Sequence, residues 1–239
     1  RALEGPDHAA DAIYGEAQMA PARAALSHMG DIDSGKIMLE RFEARIHDGA
    51  DAYLWDAEAY YGSDLDKLWI KTEGEGDFGG ELESAEVQAL WSHAIGPWFD
   101  LQAGARYDFE PDERAYAVLG LQGLAPYMIH LDAAAFLSDK GDLTARIEGE
   151  YDQRITQKLI LQPRAEIELS AQDVEERELG SGFTSVEAGL RLRYEILPEF
   201  APYIGVGYES LMGDTADIAE AAGEDNDSVR LLLGIRAWF

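Results

Sequence analysis

From about Ile37 to Phe239, this 239-residue chain alternates polar and apolar residues with a period of two. Successive side chains on an extended strand point to opposite faces, so that period gives each strand one apolar and one polar face. The stretch SVRLLLGIRAWF sets Val229, Leu231, Leu233, Ile235, Ala237 and Phe239 against Arg230, Leu232, Gly234, Arg236 and Trp238. In LILQPRAEIELS, Leu161, Ala165 and Ile167 oppose Gln162, Arg164, Glu166 and Glu168. In IMLERFEARIH, Met38, Phe42, Ala44 and Ile46 are read as the apolar face, against Arg41, Glu43, Arg45 and His47. The pattern recurs in about twelve stretches.

The solvent met by the apolar faces follows from strand length and from the polar faces. A soluble sandwich buries its apolar faces between two sheets and uses shorter strands. Here strands of roughly nine to eleven residues, the length a tilted strand needs to cross a bilayer, repeat one polarity. Aromatics fall near strand ends at Tyr53, Tyr61, Phe99, Phe109, Tyr151, Tyr194, Tyr208 and Phe239, as in the girdles of a membrane barrel. The polar faces carry both signs of charge, as lumens do. The expected fold is all-β: a transmembrane outer-membrane β-barrel of about 12 antiparallel strands with a short N-terminal arm or helix. The division reads as 1–35, a periplasmic arm or short helix, and 36–239, the barrel. No run reaches the ~18 consecutive apolar residues of a transmembrane helix.

Local signals refine this. Pro21 suits a helix start and Gly30 a stop around Met19 to Met29. Pro163 inside a strand removes a ladder donor and reads as a local bulge. An even strand number puts both termini on one side, read as periplasmic, with Phe239 as the closing aromatic. YGSDLDK, SHAIGPW, QGLAPY, DQRITQK and ILPEFAP then become periplasmic turns, and SLMGDTADIAEAAGEDND the main outer loop. The opening residues lack a charged-then-apolar signal pattern, so a targeting peptide is expected to have been removed already.

Charge limits the partners. Forty-seven acids against nineteen bases give a formal net charge of -28. Nucleic acid is excluded, because its binding needs phosphate neutralisation by Lys and Arg. Cations are favoured, with a merely solvated acidic surface as the alternative. The absence of cysteine removes disulfides and thiolate metal sites. Enzyme signatures are weak. Ser27-His28 and Ser92-His93 are adjacent pairs, and neighbours on a strand face opposite ways. EGEGDFGGE follows no phosphate-binding plan and reads as a tight outer loop.

The long segments WDAEAYYGSDLDKLWIKTEGEGDFGGELESAEVQALWSHAIGPWFDLQAGARYD and LQGLAPYMIHLDAAAFLSDKGDLTARIEGEYDQRITQKLILQPRAEIEL, with GLRLRYEILPEFAPYIGV and GDTAD, resemble the copper resistance protein B family. The resemblance runs from about His8 to Phe239. It implies an outer-membrane barrel that binds copper and contributes to copper tolerance, sequestering the ion or helping it leave the periplasm. It implies Cu(I) or Cu(II) as the bound ion, membrane lipid as surroundings, and a periplasmic copper-binding oxidase or copper carrier as a candidate partner. The Met- and His-rich segment that commonly precedes the barrel in this family is not seen; His8, Met19, His28 and Met29 are what the arm offers.

Donor chemistry then selects candidate ligands. Thioether sulfur prefers Cu(I), and imidazole suits both oxidation states. Met128 and His130, two apart on one strand, are expected to face the lumen with Asp132 next in the row. The alternative is that Met128 is packing near a turn and His130 a hydrogen-bonded interior histidine. His28 and Met29 form a second candidate pair before the barrel. Asp56, Glu58, Glu73, Glu86, Glu148, Glu150, Glu166, Glu168 and Glu187 line the lumen by parity, either as a cation path or as partners of Arg41, Arg45, Arg146, Arg164, Arg191 and Arg193. A general cation-selective porin is the rival function.

Overall fold

The computed structural model describes residues 8–29, 32–47, 51–80, 82–223 and 225–239, except for the side chains of 27–29. Helices α1 (Asp11–Tyr14) and α2 (Glu16–Met29) precede the strands. Helix α2 starts at Glu16, so Pro21 sits inside it rather than at its start. The twelve strands are β1 (Ser34–Ile46), β2 (Asp51–Gly62), β3 (Asp66–Asp77), β4 (Leu82–Ala94), β5 (Phe99–Glu110), β6 (Arg114–Ala125), β7 (Ile129–Ser138), β8 (Leu143–Glu150, resumed at Gln153–Arg154), β9 (Leu159–Ser170), β10 (Gly182–Tyr194), β11 (Phe200–Leu211) and β12 (Asp227–Trp238). Helix α3 (Gly213–Ala222) lies between β11 and β12.

Every strand pairs antiparallel with its sequence neighbours, and β1 pairs with β12 from Met38↔Trp238 to Ile46↔Leu231. The sheet is therefore closed, which leaves no unpaired edge for a membrane interior to desolvate. The outward faces are apolar: Leu119, Leu137, Leu190, Ile204, Val206, Leu231 and Leu233 are all exposed. Tyr61, Trp91, Trp98, Tyr194 and Phe239 ring one rim, and Tyr107, Phe109, Phe183 and Tyr208 the other. The near rim, as used below, carries the start of β1 and the end of β12; the far rim carries the two long connections, residues 171–181 and the one that holds α3.

Three local expectations about the strands are corrected. EGEGDFGGE is not all loop, because residues 73–77 complete β3 and the turn follows them. The β1–β2 register runs to Leu39↔Ala57 and resumes at Arg41↔Asp56, leaving Glu40 as an extra residue. One extra residue reverses the parity of everything before it. Lys36, Met38 and Glu40 therefore line the interior together with Arg41, and Ile37 points out, 60% exposed. Met38 is not on the outer face with Phe42, Ala44 and Ile46. Pro163 makes no bulge, since its pairing with Leu190 sits in unbroken register. On its other side Tyr151 still donates its N–H to the Pro163 carbonyl (3.1 Å). Proline cannot return that bond, and it is here that β8 is interrupted between its two segments.

Candidate functional site

The lumen is built from the inward rows of these strands and is divided by composition. One side is apolar: Met38, Trp69, Leu90, Tyr116, Val118 and Phe136 form a buried cluster, with Tyr60, Ala134 and Trp238 against it. The rest is charged. Arg41 donates to Asp56 (3.0 Å) and Glu73 (2.7 Å), and Arg146 donates to Glu73 (3.1 Å) and Glu168 (3.1 Å). Arg164 donates to Glu148 (2.5 Å) and Glu166 (2.6 Å) and reaches Glu187 at 3.3 Å. Arg106 pairs with Glu86 at 2.8 Å, and Arg191 donates to Glu43 through two nitrogens (3.1 and 3.0 Å). Burial explains this pairing, because an unpaired charge away from water costs several kcal/mol.

Of the nine lumen acids selected by parity, seven are thus held by arginine. Glu58 and Glu150 are the exceptions. Glu150 accepts one hydrogen bond from Gln162 (3.0 Å). Glu58 has no hydrogen bond or ion pair among the described residues, although it lies within electrostatic reach of Lys71, Glu40, Asp56 and Asp132. Both line a cavity of about 540 Å³ on the near-rim side of the lumen, whose inner end is formed by Arg41, Glu73, Arg146, Glu148 and Arg164.

His130 and Asp132 line that cavity as expected. His130 is registered against Glu150 on β8, and Asp132 against Glu148. Asp132 is not free, because it accepts a hydrogen bond from Lys71 across the lumen. Met128 is not in the row at all. It closes the turn Pro126–Met128, where Tyr127 and Met128 have φ of 67° and 64°, and β7 begins only at Ile129. Strand parity does not extend through a left-handed turn, so Met128 ends 62% exposed at the near rim. The lumen thioether is instead Met38, registered against Glu58 on β2. Sequence parity missed it because of the bulge at Glu40. The side chains of His28 and Met29 lie outside the described residues. Ser92 is fully buried and donates to Asp100, while His93 faces outward with its Nδ1 2.8 Å from Asp66, so the two serve no common site.

Among the described residues, no three His, Asp or Glu side chains converge to hold a metal ion. What the cavity offers is a carboxyl group outside any ion pair on each of two walls, one imidazole and one thioether.

Comparison with known proteins agrees with the architecture. A family model described as "Copper resistance protein B precursor (CopB)" matches residues 33–239. Copper resistance protein B of Escherichia coli is 46% identical over 204 residues, covering 85% of this chain and 69% of that protein. A copper resistance protein B homolog of Pseudomonas syringae pv. tomato is 38% identical over 259 aligned positions, covering 99% of this chain and 88% of that one. Among solved structures, the NanC porin superposes with a TM-score of 0.54 at 14% identity, over 86% of this chain and all (100%) of that one. The KdgM porin with disordered oligogalacturonate gives 0.53 at 10%, over 85% and 99%. These porins share the barrel alone. With the family model spanning most of the chain and two relatives well above 30% identity, this outer-membrane barrel belongs to the copper resistance protein B family.

Proposed function

We propose that the barrel captures copper ions on the near-rim side of its lumen and passes them outward, with that rim and the 1–35 arm facing the periplasm. The observation that carries this is the pair Glu58 and Glu150, the two parity-selected lumen acids without an arginine partner, opening on a cavity that also holds His130 and Met38. Neither carboxyl is tied up in an ion pair, so each is free to ligate, and the acidic wall draws cations inward by its field. Imidazole and thioether then favour copper over the hard cations.

The donors described in the cavity are spread over separate walls, an arrangement suited to transit more than to storage. A conducting path needs sites that bind well enough to admit an ion and weakly enough to release it. One or two donors at a time meet that requirement; a closed four-ligand cage does not. A general cation-selective porin is less well supported, because the remaining acids selected by parity are already neutralised by arginine. The reading is non-enzymatic. A periplasmic copper carrier is the donor it calls for, and His28 and Met29, the adjacent donor pair of the arm, suit the handover.

The test is Cu(I) titration of the detergent-solubilised barrel. The double change His130→Ala, Glu150→Gln is expected to weaken Cu(I) binding about tenfold or more, the scale of losing a supporting ligand at a metal site. Glu58→Gln is expected to act in the same direction, and Met128→Leu to leave binding unchanged. Undiminished binding in both lumen variants would overturn the lumen site; loss on removing His28 and Met29 alone would move capture to the arm.

A further inference from the structure

The connection between β9 and β10 turns into the far mouth of the lumen rather than away from it. Val174 is buried at 6% exposure and forms an isolated bridge with Leu179. Both line a second cavity of about 80 Å³, together with Thr144, Thr184 and Arg177. The segment is held at its outer side by α3, where the Gly180 N–H donates to Thr215 Oγ1 (2.9 Å). The approach is too close for a side chain: a Cβ at Gly180 would lie 2.6 Å from the Thr215 nitrogen. Glu176 accepts from Arg114 (2.7 Å), a guanidinium that is itself 1% exposed and also donates to Asp142 (2.8 Å). A hydrogen bond from Lys140 holds the Glu176 carboxyl below the usual carboxylate range, so it stays ionised for this contact.

Arg177 is the inward tooth of this segment. It donates to Asp108 at 2.8 Å and lies 5.7 Å from the Tyr116 ring centroid. The stack continues beyond it. Arg106 sits 5.1 Å from Tyr116 and 4.8 Å from Phe136, and Arg146 sits 5.9 Å from Phe136. Cation and ring alternate from the far mouth to the centre of the barrel, a geometry in which each guanidinium is attracted to the ring faces. The last two members, Phe136 and Arg146, line both cavities and form the partition between them.

We propose that residues 171–181 are a lid over the far mouth, latched by Arg177 between Asp108 and Tyr116 and braced from within by the Arg106–Phe136–Arg146 stack. This deepens the transit reading and rests on it for its purpose, since a latch is useful only if ions cross the lumen. Its physical content is separate from copper and can be measured without it.

The chain has no cysteine, so Thr144→Cys places a single thiol in the far cavity beneath the lid. Its rate of labelling by a charged methanethiosulfonate reports lid opening in the full chain. Arg177→Ala removes both the charge-assisted bond and the ring contact, and is expected to accelerate labelling about tenfold or more. Arg177→Lys, which keeps a charge for Asp108 but not the flat stacking group, is expected to fall between the wild type and Arg177→Ala. Potassium conductance of the reconstituted barrel should rise in the same order. Unchanged labelling and conductance in both variants, with the β-rich circular dichroism spectrum intact, would overturn the lid. Faster labelling in a barrel that binds no Cu(I) would leave the lid standing and remove the copper reading; unchanged labelling in a barrel that still binds Cu(I) would do the reverse.

Discussion

Replacing Glu43 by leucine is expected to cost about 3–5 kcal/mol, the penalty for leaving a buried charge without its partner. The Glu43 side chain has no exposed surface, and it accepts hydrogen bonds from Arg191, from Arg45 (3.1 Å) and from the Tyr203 hydroxyl (3.0 Å). Arg45 would keep Glu75 (3.0 Å) and Glu187. Arg191 would not be so placed: Glu43 is its ion-pair partner among the described residues, and one of its terminal nitrogens is already buried without an acceptor. The site is also closed sterically, since a Cβ at Gly234 would lie 2.5 Å from the Tyr203 ring and 2.8 Å from the Glu43 Cβ. Urea unfolding in lipid vesicles, followed by tryptophan fluorescence, measures the cost. Adding Arg191→Met to Glu43→Leu should recover much of it, because an apolar pair avoids the desolvation of both ions. A single Glu43→Leu variant within about 1 kcal/mol of the wild type would show that the pair lies in water rather than in a packed interior.

Ala165→Arg is the second large effect, expected at about 2–4 kcal/mol, the cost of a charged side chain on the lipid face near the bilayer midplane. Ala165 lies in the middle of β9, registered against Ala188 and Gly149, and its side chain points away from the lumen. The neighbouring change Glu166→Gln faces the interior. It should cost only about 1 kcal/mol, as for one net hydrogen bond. Arg164 would retain Glu148 and Glu187, and Arg146 would retain Glu73, Glu86 and Glu168. The same vesicle unfolding assay separates the two, and equal costs would mean that the faces of β9 are reversed.

The outward rows were legible residue by residue wherever a strand runs without an extra residue. Leu161, Ala165 and Ile167 on β9, and Leu231, Leu233 and Ile235 on β12, lie where alternation puts them. Facing is a local property, set by a chain that turns each successive Cβ to the other side of the sheet. The family resemblance was legible for a different reason, in long runs such as the stretch from Trp55 onward. The candidate site was only half legible. His130, Asp132, Glu58 and Glu150 line the near cavity as parity implied, but Met128 does not, and Met38 does.

The sequence by itself thus determined the closed amphipathic sheet and which residues of each regular strand face inward, because period-two alternation and strand length are covalent properties of a short stretch. It could not determine where the alternation breaks. The extra residue at Glu40 and the left-handed turn at Tyr127 and Met128 each depend on how neighbouring strands must register to close the barrel. Nor could it say which acids keep their charge exposed to an entering ion. That is decided across the lumen by partners as distant in sequence as Glu43 and Arg191, 148 residues apart, or Glu73 and Arg146, 73 apart. Charges are neutralised by what lies within about 4 Å in space, and only the folded barrel brings those residues together.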